Sequence, residues 1–163
     1  MLMWIEKKSK VHGIGIFAKK TIKKNTRIIQ YVGEKILKKE GDKRSTDRIK
    51  KFLNKNGEGS VYVFELNSKY DIDGSPLYNK ARYINHSCNP NCEVDIIDNE
   101  IWIISRRSIK KNEELSYDYG YVFDKDDYKD HICKCGSKNC IGYIISQDSW
   151  SKFLNHIKKI VKR

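Results

Sequence analysis

The chain has 163 residues, of which 39% are hydrophobic and 33% charged, and its formal net charge is +12 at pH 7. This length predicts one domain with a core of its own, while the lack of a long apolar stretch and of a charged-then-apolar N-terminus argues against a membrane span and a secretory leader. An intracellular protein in a reducing compartment, without structural disulfides, is therefore expected. The lysine excess indicates either acidic partners, such as nucleic acid, or only a solvated lysine-rich surface.

Short apolar runs separated by turn-forming residues predict a mostly-β chain. The expected strands are, in chain order, residues 13–18, 27–37, 60–66, 70–74, 93–97, 100–109 and 113–121. Asp98 and Asn99 suit a two-residue hairpin turn between two of them. We find no internal repeat. Strands and helices do not alternate along the chain, so Gly13 and Gly15 do not indicate a dinucleotide-binding fingerprint.

Two segments have the pattern of helices. Residues 45–57 can begin at Ser45 or Thr46 and end at Gly57, with apolar side chains on one face. From about Asp148 to the C-terminus, apolar residues recur at helical spacing and the other face is basic. This second pattern predicts an amphipathic helix that packs on the body of the domain, with a role in nucleic-acid binding as the less favoured alternative.

The five cysteines are odd in number, so they cannot all pair in disulfides, and their clustering favours a metal site. They are Cys88, Cys92, Cys133, Cys135 and Cys140. The last three lie in the stretch "CKCGSKNC", whose turn-forming residues would let three thiolates surround one zinc ion. From the residues alone, the fourth ligand is His131, Cys88 or Cys92, and unliganded thiols are the alternative. A fourth ligand from the polar segment 82–95 would attach that segment to the C-terminal cysteine stretch, residues 133–140.

Five motifs occur in an order that resembles one known family, and the similarity runs from about Ile5 to Ile144. The motifs are "HGIGIFA", "QYVGE", "RYINHSCNPNC", "EELSYDYGY" and "CKCGSKNCIG". The chain resembles the SET-domain protein lysine methyltransferases that carry a post-SET zinc loop. The resemblance implies a mostly-β SET fold, with small curved sheets, a pseudoknot and a short inserted helix. With the C-terminal helix added, the expected division is a catalytic SET domain at 1–121 (with a helical insert at 38–59), a zinc-binding post-SET segment at 122–145 and a basic helix at 146–163.

The resemblance also implies a methyl donor, S-adenosylmethionine, and one structural zinc ion. The implied cofactor-binding residues are His12, Gly13, Ile14, Gly15, Ser60, Val61, Tyr62, Arg82, Asn85, His86 and Tyr119. The implied catalytic residue is Tyr119, with Tyr117 and Tyr31 lining the channel for the substrate lysine. The implied zinc ligands are Cys88, Cys133, Cys135 and Cys140.

The activity implied by the resemblance is methylation of a lysine on a histone or another lysine-rich protein, mainly to the mono- or dimethyl state. A histone substrate would locate the protein at chromatin in a nucleus, its own or a host's, and the basic surface could then dock on nucleosomal DNA. No membrane partner is expected. The alternative from another class is a non-catalytic, basic, zinc-stapled module that binds histones or nucleic acid. A thiol redox protein is a third possibility, and it requires a reactive pair of cysteines.

Overall fold

The computed structural model describes residues 2–53 and 61–161, and within them small sheets dominate, so the predicted mostly-β fold is confirmed. The elements are β1 (Trp4–Lys8), β2 (Ile14–Ala18), β3 (Arg27–Tyr31), β4 (Glu34–Leu37), α1 (Lys38–Leu53), β5 (Val63–Glu65), β6 (Tyr70–Asp73), β7 (Asn85–His86), β8 (Cys92–Ile97), β9 (Glu100–Ser105), β10 (Ser116–Tyr117) and α2 (Trp150–Val161). Short 3-10 turns precede β7, follow β10 and lead into α2. The predicted helix end at Gly57 and the cofactor residue Ser60 lie outside the described residues.

The chain forms two compact units, described here one at a time. The first unit comprises Met1–Thr26, Tyr83–Glu93 and Ser105–Arg163, and the second comprises Arg27–Arg82 and Val94–Ile104. In the first unit β1 pairs antiparallel with β2, and β10 pairs parallel with β7. The second unit contains the sheet β4-β6-β5 and most of the sheet β3-β9-β8. None of the described helices has the length and apolarity that crossing a bilayer requires.

The core of the first unit is built from alternating strand residues and from an aromatic cluster near the C-terminus. Along β2, Ile16 and Ala18 are fully buried, as expected where one face of a strand packs inward. This cluster consists of the aromatic residues Phe123, Tyr128 and Phe153 together with Ile145. Phe153 lies on α2, so the predicted C-terminal amphipathic helix forms and packs on the body through its apolar face.

In the second unit, α1 begins at Lys38, seven residues before the predicted start. The early turns are stabilised by ion pairs rather than by an apolar face: Lys38 contacts Asp71 at 2.8 Å, and Arg44 contacts Asp73 at 2.9 Å. Gly41 allows the helix backbone to lie close to Asp71, because a Cβ there would lie 2.2 Å from a carboxylate oxygen of Asp71. Contacts between distant residues therefore set the helix start, and a search for caps in the local sequence misses them.

Other predicted strands are shorter than expected. The predicted strand 27–37 divides into β3 and β4 around Gly33, where a Cβ would lie 2.2 Å from the carbonyl oxygen of Asp73. The predicted strand 113–121 has only Ser116–Tyr117 in strand geometry. Asp98 and Asn99 both have positive φ, 52° and 63°, which confirms the predicted hairpin turn between β8 and β9.

Candidate active site and metal centre

Two motifs that are far apart in sequence meet at the pairing of β7 with β10. Asn85 lies opposite Ser116, and His86 opposite Tyr117, in parallel register. Asn85, His86 and Tyr117 are all buried. The ring centroids of Tyr117 and Tyr119 lie 5.0 Å apart, and those of His86 and Tyr119 lie 5.4 Å apart. A short parallel ladder thus gathers an amide, an imidazole and two phenols in the first unit.

Hydrogen bonds fix the orientation of His86 and Tyr119. The backbone N–H of Tyr119 donates to Nδ1 of His86 at 3.2 Å, and the Tyr119 hydroxyl donates to the carbonyl of Ile84 at 3.1 Å. Burial lowers the pKa of His86, although the carboxylate of Asp118, 3.9 Å away, acts in the opposite direction. A neutral imidazole agrees with Nδ1 acting as an acceptor. His86 therefore holds the backbone of the tyrosine motif in place.

The glycine motif is tied to Asn85 through a residue that the sequence analysis missed. The side-chain amide of Asn85 donates to Oε1 of Glu114 at 2.7 Å and to the carbonyl of His12 at 3.3 Å. Glu114 also accepts a hydrogen bond from the Ser9 hydroxyl at 2.7 Å. A Cβ on Gly15 would lie 2.4 Å from the same glutamate oxygen, so glycine is required there for this contact. Glu114 is the second residue of the quoted tyrosine motif, and that position was the available signal.

The loop around Gly13 suits a bound molecule with polar groups. Gly13 has a φ of +47°, and a Cβ built on it would meet no atom within 4 Å, so open space lies beside the backbone. Neighbouring groups include the carbonyls of His12 and Ile14 and the amide of Asn85. Backbone and amide groups beside open space can recognise the amino-acid and purine portions of S-adenosylmethionine, and the chemistry of this donor set therefore fits that cofactor.

The other predicted site residues belong to the second unit. Tyr31 is 2% exposed, and its hydroxyl donates to the carbonyl of Tyr62 at 2.9 Å. The guanidinium of Arg82 stacks over the ring of Tyr62 at 4.2 Å and donates to the carbonyl of Ser75. The N–H of Gly74 donates to the same carbonyl of Tyr62 at 2.8 Å. Val61, partly buried, precedes this segment, whose course is thus fixed by Tyr31, Arg82 and the turn at Gly74.

Four cysteines converge in the first unit. The sulfurs of Cys88, Cys133, Cys135 and Cys140 all lie within 4.8 Å of one another. Cys88 supplies the fourth sulfur, 3.8 Å from those of Cys133 and Cys140. Cys92 is buried elsewhere against Asn91, and burial raises its pKa to about 12. Among the described residues, neither Cys92 nor His131 joins the group.

The chemistry of this donor set fits zinc, which favours four sulfur ligands in a closed structural site. Burial raises the pKa of Cys88 to about 12 and also raises that of Cys133. Burial acts in the same sense on Cys135, but hydrogen bonds from the Ser137 hydroxyl and the Cys88 N–H outweigh it and lower its pKa to about 6. A cation is the group that would hold all four as thiolates.

A second residue missed from the sequence, Gln147, connects this cluster to the tyrosine motif. Its side-chain amide donates to the carbonyl of Cys88 at 2.8 Å, and its backbone N–H donates to the carboxylate of Asp118 at 2.8 Å. Asn139 donates to the same carbonyl of Cys88 at 3.3 Å. The segment leading into α2 is therefore bonded to Cys88, two residues after β7, and to Asp118, which precedes Tyr119. A lone glutamine between two predicted elements carries no pattern that would reveal this.

The fold and the converging motifs define a SET domain, and a comparison with known families agrees: the family described as "SET domain" matches residues 13–120. The chain belongs to the SET-domain family. Its curated relatives include human "Histone-lysine N-methyltransferase 2D", 37% identical over 82% of this chain, and Drosophila melanogaster "Histone-lysine N-methyltransferase trr", 39% identical over 82%. "Histone-lysine N-methyltransferase, H3 lysine-4 specific" of Saccharomyces cerevisiae is 38% identical over 84%. The matched regions span only 2%, 5% and 13% of those three proteins.

Proposed function

We propose that this chain is an S-adenosylmethionine-dependent protein-lysine N-methyltransferase. The observation that carries the proposal is the parallel pairing of β7 with β10, because it holds Asn85 and His86 beside Tyr117 and Tyr119. Family membership supports the reaction, and the names of the relatives support a lysine of a histone as the acceptor.

The proposed roles follow the two units. We assign cofactor binding in the first unit to the glycine loop, to the β7 pair and to Tyr119, and in the second unit to the segment around Tyr62. In full, the assigned residues are His12, Gly13, Ile14, Gly15, Asn85, His86 and Tyr119, with Val61, Tyr62 and Arg82, and with Ser60 outside the described part of the chain. Tyr119 is the proposed catalytic residue, and Tyr117 and Tyr31 are the proposed walls of the lysine channel.

When bound, S-adenosylmethionine supplies an electrophilic methyl group next to a positive charge. The chain has to align the lysine amine, exclude water and favour the neutral amine, whose free pKa is near 10.4. Burial among phenol rings disfavours the ammonium form, and the proton passes to water rather than to a dedicated base. A Tyr119 hydroxyl that donates to Ile84 presents its lone pairs to an amine N–H, which orients the nitrogen. Alignment of this kind contributes about 7–11 kcal/mol to catalysis in well-oriented reactions.

Methyl transfer onto histone H3, assayed with radiolabelled S-adenosylmethionine, tests the proposal. Tyr119→Phe should lower turnover about a hundredfold, because it removes one preorganised hydroxyl. Tyr78→Phe is the matched control, since Tyr78 is 65% exposed. Full activity of the Tyr119 variant would contradict the assignment. Failure of the wild-type protein to bind S-adenosylmethionine by calorimetry would instead favour the alternative, a non-catalytic basic module, for which the net charge of +12 is the supporting observation.

The proposed product is mainly monomethyl-lysine, with dimethyl-lysine as the upper state. The hydroxyl of Tyr117 occupies space in the proposed channel, so phenylalanine there should admit further methyl groups. Mass spectrometry of the methylated histone should show the average product state rise in Tyr117→Phe. Abundant trimethyl-lysine from the wild-type protein would contradict the proposal.

The remaining proposals concern organisation and partners. We divide the chain into a catalytic segment at 1–121, with its helical insert at 38–59, a post-SET segment at 122–145 and a helical segment at 146–163. Cys88, Cys133, Cys135 and Cys140 would hold one structural zinc ion, which would contribute folding free energy by cross-linking β7 to the tail. Histone or nucleosome is the proposed protein partner, with nucleosomal DNA contacted by the basic surface. Chromatin in a nucleus is the proposed location.

A further inference from the structure

Two short segments of the first unit share one sequence pattern. Residues 19–25 read "KKTIKKN" and residues 106–112 read "RRSIKKN", so each has two basic residues, a hydroxyl residue, isoleucine, two lysines and asparagine. The expectation of no internal repeat is wrong at this length. Together the two segments hold eight of the 33 lysine and arginine residues of the chain and contain no acidic residue.

In the structure the two segments pair with each other in antiparallel orientation. Ile22 and Ile109 form an antiparallel bridge in which each N–H donates to the carbonyl of the other at 2.9 Å, and both isoleucines are buried. Each segment then turns at an asparagine of positive φ, 60° at Asn25 and 69° at Asn112. We call these two bridged segments, 19–25 and 106–112, the twin-turn surface.

Further hydrogen bonds hold the twin-turn surface in one conformation. The hydroxyls of Ser105 and Thr26 both donate to the carbonyl of Lys23, at 2.6 Å and 2.7 Å. Ser105 is fully buried, so this anchor is set within the core. A charged surface on an anchored backbone loses less conformational entropy on binding than the same charges on a free tail.

All eight basic side chains of the twin-turn surface are exposed. Arg107 pairs with Glu113, and Arg106 lies 3.8 Å from Glu93. Within residues 2–53 and 61–161, the six lysines have no carboxylate within ion-pair distance. They are Lys19, Lys20, Lys23, Lys24, Lys110 and Lys111. The charge of these six lysines is therefore not neutralised by ion pairs within the described part of the chain.

We propose that the twin-turn surface binds the phosphate backbone of duplex nucleic acid. Lysine-rich surfaces gain affinity by displacing the counterions condensed on phosphates, and this requires no base contact. Neither segment contains an aromatic ring, on which single-strand binders stack bases. Their only apolar side chains, Ile22 and Ile109, are buried, so neither segment offers the apolar face that inserts into a bilayer.

The test compares two four-lysine variants of the full chain that lower the formal charge of +12 equally. The patch variant replaces Lys23, Lys24, Lys110 and Lys111 by glutamine. The control variant replaces Lys50, Lys51, Lys158 and Lys159, all exposed on the last turns of α1 and α2, by glutamine. Circular dichroism and thermal unfolding establish that both fold. The probe is a fluorescent DNA duplex of about 20 base pairs, titrated at about 50 to 200 mM salt.

We expect the patch variant to bind the duplex about tenfold or more weakly. Its slope of log affinity against log salt should become shallower by up to about 3.6, since each of four lost phosphate contacts removes about 0.9. The control variant should change Kd less than about threefold at equal salt. Equal weakening of both variants would overturn the proposal, because only net charge would then matter. The proposal would also be overturned if the wild-type protein did not bind the duplex. It would equally be overturned if the patch variant kept duplex binding and lost only its binding to single-stranded DNA or to phosphatidylserine vesicles.

A second experiment, methyl transfer by the same variants, links this surface to the proposed function and rests on it. On nucleosomes the patch variant should lose methyl transfer about as much as it loses duplex affinity, while transfer to a free histone H3 peptide stays at the wild-type rate. Loss of both would overturn the assignment of these lysines to docking. A wild-type protein that binds the duplex but transfers no methyl group would refute the proposed function and leave the nucleic-acid site standing.

Discussion

The buried carboxylate of Asp73, on β6, offers the sharpest test of what holds α1 against the sheet within the second unit. Its side chain is 3% exposed, and it accepts hydrogen bonds from Arg44 and Arg48 at 2.9 Å each and from the Ser75 N–H at 3.1 Å. Burial opposes its ionisation, but the hydrogen bonds from Arg48, Arg44 and Ser75 outweigh burial and hold the pKa of Asp73 well below its usual value. The ionised form is therefore part of the folded structure.

Asp73→Asn keeps the volume of the side chain and removes the charge. Loss of one partner from a buried ion pair costs about 3–5 kcal/mol, mostly because the remaining charges stay desolvated. Arg44 retains Glu34 and Glu40, and both arginines are partly exposed, so we expect a loss of about 3 kcal/mol in the free energy of unfolding. Urea denaturation at neutral pH measures it. Glu34→Gln is the control, since exposed Glu34 should matter far less.

The sign of the pH dependence follows from the lowered pKa of Asp73. The stability that its ionisation contributes is complete above the unfolded pKa, near 3.9, and is lost as the pH falls from there toward the folded value. The difference in unfolding free energy between wild type and Asp73→Asn should therefore shrink below about pH 4. A difference under about 1 kcal/mol at neutral pH, or one that stays constant down to pH about 2, would refute the reasoning.

Substitutions at four further positions test the metal cluster and the packing around the site. Cys88→Ser should abolish tight binding of the proposed zinc ion, measured by metal analysis after zinc loading and dialysis, whereas Cys92→Ser should still bind one ion. Gly74→Ala should lower stability by about 1–3 kcal/mol in urea denaturation, because its Cβ would lie 2.2 Å from the ring of Tyr31; an unchanged midpoint would contradict this. Gln147→Ala should cost about 1 kcal/mol, from the lost hydrogen bond to the Cys88 carbonyl, and a larger loss in Gln147→Glu would show that the carbonyl needs a donor.

The sequence predicted those parts of the site that a residue type defines by itself. Three cysteines in one short stretch predicted a metal cluster, but spacing could not choose the fourth ligand, which the family resemblance assigned to Cys88 and which the fold brings beside the other three sulfurs. Tyr117 and Tyr119 were singled out by the family motif. Their contact with His86 depends on a parallel pairing between segments about thirty residues apart, which no local pattern encodes.

The residues that sequence reasoning missed act through hydrogen bonds rather than through periodicity. Glu114 lies within the tyrosine motif itself, but its partners are Ser9 and Asn85, both distant in sequence. The start of α1 was missed for the same reason, since Lys38 is held by Asp71 on a strand that follows the helix. Apolar patterns report which face of an element is buried, whereas long-range polar contacts become visible only once the chain is folded.

The position of Cys88 links the cysteine cluster to the proposed catalytic residues. Among the described cluster members it alone lies outside the tail, and it follows His86 by two residues. Its carbonyl accepts hydrogen bonds from Asn139 and Gln147, so the C-terminal segment contacts the residue two positions after β7 at its backbone as well as at its sulfur. Gln147 also donates to Asp118, next to Tyr119, so displacement of this segment would disturb the residues that follow both β7 and β10. We therefore expect metal binding at the four cysteines to affect the geometry of the proposed catalytic tyrosine through this short stretch of backbone.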